Sequence, residues 1–167
     1  MLGEAIARAE WAKAANRAGC APLALASDGG GTAVDAIPRR ANFSGGWGVA
    51  FDTPDLRSAF GFAGPGLLPA DRADFAVQVD ALARQWPYLR RWDSGENLPA
   101  GSVAGYGVLG AKPYPATNQA GHRLHSLAYL RIPGQACQYN VWSRISRVHL
   151  ETILGLLHVV EPGTGAR

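Results

Sequence analysis

The sequence predicts an α+β fold: a single antiparallel sheet of about five to seven strands with N-terminal, central and C-terminal helices packed on it. Three observations predict it. Helix-period segments fall at the start, the middle and the end of the chain. Short alternating segments between them are joined by Gly- and Pro-rich turns instead of helices, which favours antiparallel neighbours. The length, 167 residues, suits one domain spanning 1–167. With 47% apolar and 17% charged residues, the chain has enough apolar material for a core. Its 21 Gly and 11 Pro make it loop-rich without reaching a low-complexity composition. No apolar run approaches the ~18 residues of a membrane span.

Residues 2–18 read as an Ala-rich helix, with Leu2, Ala5, Ile6 and Ala9 on one side and Gly19 as a stop. Its apolar face is thin, and Trp11 falls roughly 180° from Leu2, facing solvent unless both sides are covered. Residues 21–37 read as a hairpin, with Leu23 and Leu25 before the turn Asp28–Gly31 and Val34 and Ile37 after it, ended by Pro38. Residues 46–51 and 58–63 alternate as two paired strands, with Trp47, Val49 and Phe51 on one face and Phe60 and Phe62 opposite. The second run is expected to stop at Gly64-Pro65-Gly66.

Residues 70–86 form the most regular helical pattern: Phe75, Val79, Leu82 and Trp86 share a face, Asp71 and Asp74 favour its start, and Pro87 closes it. Residues 91–121 read as a long connection with one short edge strand, 106–109. Segments 125–132 and 136–142 flank a Pro133-Gly134-Gln135 turn. Both faces of the first carry apolar groups, which marks a central strand. Residues 146–160 read as a final helix with Leu150, Ile153, Leu154, Leu157 and Val160 inward.

The early Gly46-Trp47-Gly48-Val49 strand, the late hairpin and the closing helix together resemble the layout of Mog1/PsbP-like proteins, a likeness of pattern over about 110 residues. The resemblance implies an accessory or binding role. Asp28-Gly29-Gly30-Gly31-Thr32 resembles the first phosphate loop of the actin-like sugar kinase and ATPase superfamily, where a Gly-rich turn cradles phosphate. Those enzymes need two lobes and far more chain, so the segment is read as a turn.

Net charge is +3, carried by 14 Arg and 2 Lys against 13 acids. The distribution is uneven. Residues 97–150 hold Lys112, Arg123, Arg131, Arg144 and Arg147 with no Asp or Glu, plus His122, His125 and His149. One face is therefore expected to accept an anion. Its centre is placed at Arg144, Ser146, Arg147 and His149, where helix-start N–H groups, a Ser hydroxyl and guanidinium forks suit an anionic group.

A pocket under the 93–121 loop is expected to use His122, His125, Tyr139 and Tyr106. Arg90, Arg91, Trp92 and Trp11 form a candidate interface, since Trp and Arg dominate hot spots. His122 and His125 straddle a strand start, where odd spacing sends side chains apart, so no metal site is expected. Cys137 and Asn140 fall on opposite strand faces, which argues against a Cys–His–Asn set with His125. No catalytic residues and no cofactor are assigned. Residues 1–19 lack a basic n-region and an apolar core, and neither Cys20 nor Cys137 lies in a CxxC motif. The expectation is a cytoplasmic, bacterial-type protein with two reduced thiols.

The first functional reading is an accessory protein acting through protein–protein contact or self-association. The alternative is a small-molecule-binding protein or enzyme. A nucleic-acid binder is disfavoured, because Lys is scarce and no recognition motif appears. A concave cavity reaching the named polar groups would favour the second reading, and a flat apolar patch the first.

Overall fold

In the computed structural model, residues 1–67, 74–94 and 96–161 are described. The chain runs α1 (Glu4–Lys13), β1 (Leu23–Leu25), β2 (Ile37–Arg40), β3 (Trp47–Thr53), β4 (Leu56–Leu67), α2 (Phe75–Gln85), β5 (Tyr88–Arg91), β6 (Val103–Val108), β7 (Ser126–Arg131), β8 (Cys137–Ser143), α3 (Arg147–Leu156) and β9 (Leu157–Val159). Seven strands form one antiparallel sheet in the order β2-β3-β4-β8-β7-β6-β5, and β1 and β9 form a separate two-stranded sheet. The predicted α+β class holds.

Strand alternation sorts the side chains onto two faces. Trp47, Val49, Phe51, Phe60, Phe62, Ala128, Leu130, Tyr139 and Val141 join the main core with Ala7 of α1, Leu23 and Leu25 of β1, and Leu150, Ile153 and Leu154 of α3. Phe51 and Phe60, directly opposite in the ladder, stack at 4.7 Å. On the other face α2 covers only the β5–β7 half, where Leu82 and Trp86 meet Val103, Leu127 and Tyr129. Trp86 meets Tyr129 edge-on at 5.0 Å. Leu127 and Tyr129 thus serve one core and Ala128 and Leu130 the other, as a central strand requires.

Several boundaries differ from the sequence reading, each for a local reason. α1 starts at Glu4 because Leu2 pairs with Leu25 through N···O distances of 2.8 and 3.1 Å. It ends at Lys13, and the chain then turns through Arg17–Gly19. The predicted 21–37 hairpin does not form. Leu23–Leu25 pairs with Leu157–Val159, while Ile37–Arg40 is itself an edge strand on β3, a position where Pro38 is tolerated. Val160 is buried as expected, and Leu157 reaches the core from β9 instead of from a longer helix.

β4 passes through Gly64-Pro65-Gly66 by a shift of register between Ala63 and Gly66. β6 is an internal strand, with β5 at the sheet edge, so the 91–121 segment is shorter and better paired than expected. Asp74 caps α2 by accepting from Ala76 N–H at 2.9 Å, and Asp71 lies outside the described residues. No helix among the described residues is long and apolar enough to cross a membrane.

The expectation of two free thiols is overturned. Cys20 and Cys137 form a disulfide across a Cα–Cα distance of 4.8 Å. Both sulfurs sit in the core, where the turn after α1 meets the start of β8. The bond closes a loop spanning 117 positions. Long closed loops restrict the unfolded chain strongly, so the Cys20→Ala/Cys137→Ala protein should lose about 2–5 kcal/mol of unfolding free energy in a urea titration. An unchanged midpoint would show that the cross-link adds no stability.

Candidate functional site

Two clefts open at the start of α3, and they share a wall. The first, about 540 Å³, is lined by Gly29–Thr32, Thr53, Asp55 and Leu56, by His122 and Arg123, and by Arg144, Ile145, Ser146, Val148, His149 and Thr152. The second, about 600 Å³, lies on the sheet face that α2 leaves uncovered. Its lining is Phe43, Ser58, Leu109, Arg123, His125, Leu127, Asn140, Trp142 and Arg144. Arg123 and Arg144 belong to both. Both clefts have mixed polar and apolar lining; the first is Gly-rich, and the second carries the aromatic rings of Phe43 and Trp142.

The shared wall is built by docking the 119–125 loop on α3. The Arg147 N–H donates to the Ala120 carbonyl at 2.9 Å, and the Arg123 N–H donates to the Ile145 carbonyl at 3.0 Å. Gly121 makes this approach possible. Its φ is +65°, and a Cβ there would lie 2.6 Å from the Tyr114 ring and 2.9 Å from the Arg147 backbone. Arg123 itself is held at φ +61°, and Ser58, lining the second cleft, at φ +53°. Left-handed backbone at a residue with a Cβ costs of order 1–3 kcal/mol and persists only where surrounding bonds impose it. Ser58 is imposed by its N–H to Asp52 Oδ1 at 2.6 Å and by Arg39, which donates to its hydroxyl.

Both guanidiniums are exposed, and neither makes an ion pair among the described residues. Arg144 donates to the Arg57 carbonyl at 3.0 Å, which orients it without neutralising it. The clefts hold one carboxylate, Asp55. His125 is held below its ordinary pKa by burial and by the Arg144 charge.

Among the four residues assigned to an anion site, only Arg144 presents free charge to the cleft. Ser146 is the N-cap of α3, its hydroxyl accepting from the His149 N–H at 3.0 Å. His149 is buried, with Nδ1 2.9 Å from Ser143 Oγ and Nε2 2.8 Å from the Asp28 carbonyl. A carbonyl only accepts, so Nε2 carries the proton and the neutral ring takes the Ser143 hydroxyl at Nδ1. His149 thereby ties the Gly29–Gly31 loop to α3.

Arg147 turns away. Its guanidinium lies 4.3 Å from the Tyr88 ring centroid and 5.0 Å from that of Tyr114, and Nε donates to Glu151 at 3.3 Å. Glu151 also accepts from the Tyr106 hydroxyl, whose pKa is pushed up to about 12, first by burial and then by that carboxylate. Arg147 is therefore a neutralised packing residue, and the expected Arg144–Arg147 pairing is corrected to Arg144 with Arg123.

The four residues expected to share a pocket do not converge. His122 lines the first cleft and His125 the second. Tyr139 is fully buried in the main core, bonded to Ala21 and Gln135, and Tyr106 is tied to Glu151. The aromatic interface is also corrected. Trp92 is 1% exposed beneath Arg90, whose guanidinium lies 4.6 Å from its ring. Trp11 is half-buried, its indole N–H held by the Cys20 carbonyl, and Arg91 alone of the set is exposed without a ring partner.

Sequence reasoning missed Phe43, Ser58, Asp55, Asn140 and Trp142 as cleft residues, and it counted Arg123 only as part of the basic segment. The signal for Arg123 was present: a basic residue between His122 and His125, two positions after Gly121, in a stretch free of acids.

Comparison with family models, with curated proteins and with solved structures finds no match for this chain.

Burial pushes the His149 pKa down from 6.5, with the Asp28 carbonyl opposing. The unfolded chain then binds more protons than the native state between the depressed native value and about 6.5, so native stability falls as pH drops through that window. Below the native value the loss levels off. His125 contributes with the same sign. Urea titrations between pH 7.5 and 5 should show a smaller acid-side loss for His149→Gln than for the native chain. Parallel profiles would show that His149 does not drive it.

Proposed function

We propose that this chain is a ligand-binding protein that holds an anionic group on the ridge formed by Arg123 and Arg144. One observation carries the reading: two exposed guanidiniums, neither paired with a carboxylate among the described residues, form the wall between two concave clefts. Charge-assisted bonds from Arg are among the strongest polar contacts available for a carboxylate or phosphate. The Gly29–Thr32 loop and the α3 start line the same cleft, but the Gly30 N–H is taken by Asp28 Oδ1 at 2.8 Å and the Arg147 and His149 N–H groups by the Ala120 carbonyl and Ser146 Oγ, so the two guanidiniums carry the reading.

Cleft volumes of about 540 and 600 Å³ suit a small ligand. An accessory role through an acidic partner surface rests on the same two arginines and is the second reading. The Cys20–Cys137 disulfide supports an oxidising compartment in place of the cytoplasm.

The test is a titration of the ¹⁵N-labelled protein with inorganic phosphate and with acetate. The Nε–H signals of Arg123 and Arg144 and the amides of Gly29–Thr32 should shift saturably. Affinity should fall at least tenfold in Arg123→Ala/Arg144→Ala and stay within twofold in Arg147→Ala. Equal binding by the double variant, or loss of binding in Arg147→Ala with the fold intact, would overturn the reading.

A further inference from the structure

The second cleft continues the ridge onto an apolar surface, and its composition identifies what an anion bound there would be attached to. Trp142 lies on the floor, with its indole N–H 3.3 Å from the Ser58 carbonyl and its ring over Gly61, where a Cβ would approach to 2.5 Å. Leu127 adjoins it, and Phe43 and Leu109 stand at the sides. Phe43 in turn lies over Gly48, 2.6 Å from where a Cβ would be. The glycines let both aromatic rings settle on the sheet, which leaves a shallow trough instead of a filled layer. Leu109 is 51% exposed at its margin. This half of the sheet face is the part α2 does not cover.

We infer that the ligand is a small amphipathic organic acid, its carboxylate held by Arg123 and Arg144 and its compact apolar body, an aryl group or short acyl chain, lying on Trp142 in the second cleft. The inference rests on the proposed anion ridge and goes beyond it by naming the rest of the molecule. Three features select this occupant. The charge at the shared wall is positive, with no carboxylate partner among the described residues, which selects an acidic head. The trough beside it carries Phe43, Leu109, Leu127 and Trp142 next to the polar Ser58, His125 and Asn140, and its aromatic and aliphatic surface selects a body that gains by leaving water. Its volume, about 600 Å³, falls within the range of small-molecule sites. A free phosphate satisfies the ridge alone and leaves the trough empty.

Isothermal titration of the intact protein with 2-naphthoate, 2-naphthamide, acetate and inorganic phosphate tests this. 2-Naphthoate should bind at least tenfold tighter than acetate, which lacks the body, and at least tenfold tighter than 2-naphthamide, which lacks the charge. Arg144→Ala should erase the preference for the acid over the amide. Trp142→Ala should weaken naphthoate at least tenfold and leave phosphate within twofold. If that variant does not fold, Leu109→Ser at the margin should weaken naphthoate about threefold with phosphate unchanged.

Phosphate binding at the ridge with naphthoate no tighter than acetate overturns this inference and leaves the anion ridge standing. Failure of both probes overturns both. An internal Trp-Glu peptide with blocked ends that binds tenfold tighter than naphthoate assigns the trough to a protein partner and overturns the small-acid assignment. Concentration-dependent dimerisation abolished by Leu109→Ser assigns it to a second copy of this chain, with the same consequence.

Discussion

The candidate site depends on one close approach: the backbone of the 119–125 loop lying directly on the first turn of α3. Without a side chain at Gly121, the Ala120 carbonyl reaches the Arg147 amide and the Arg123 amide reaches the Ile145 carbonyl. Those two bonds place Arg123 on the same wall as Arg144, which follows β8 by one residue. They also satisfy backbone groups at a helix start that would otherwise need water or a ligand. A single backbone contact thus builds the positive ridge, and both clefts inherit it.

The same junction explains why only part of the basic segment is available for binding. Arg147, first in α3, falls on the opposite side of the junction from Arg144 and is absorbed by Tyr88, Tyr114 and Glu151. That cluster anchors α3 to the β5–β6 edge, since Glu151 also accepts from Tyr106 and its carbonyl from Arg90. Structural and binding arginines therefore sit three residues apart. Of the left-handed non-Gly residues, Arg123 and Ser58 line the clefts, where an open binding wall and maximal stability compete, while Asp35 and Ala111 lie outside them.

Much of the fold was legible because its signals are local. The alternation through Trp47–Phe51 and Phe60–Phe62, the Pro133–Gln135 turn and the periodicity of Phe75–Trp86 each fix a neighbour within a few residues. Beyond shifted element boundaries, the main failures involve long-range partners. Leu23–Leu25 alternates equally well whether it pairs with the next segment or with Leu157–Val159, 136 positions away in its first pair. Cys20 and Cys137 carry no spacing motif, and only the meeting of the post-α1 turn with β8 makes them partners. The site was half legible for the same reason. The acid-free stretch pointed to Arg144, whereas the choice between Arg123 and Arg147 depends on which side of α3 each side chain leaves, and the Trp142 trough exists only because α2 stops short of it.

The most direct test of the central claim touches no charged residue. Gly121→Ala should leave the far-ultraviolet circular dichroism spectrum native, lower unfolding free energy by about 1–3 kcal/mol for the strained turn, and weaken phosphate binding at least fivefold, because Arg123 no longer holds its place beside Arg144. A Gly121→Ala protein that is destabilised by that amount and binds phosphate as tightly as the native chain would contradict the account, since the ridge would then form without the loop-to-helix contact held responsible for it.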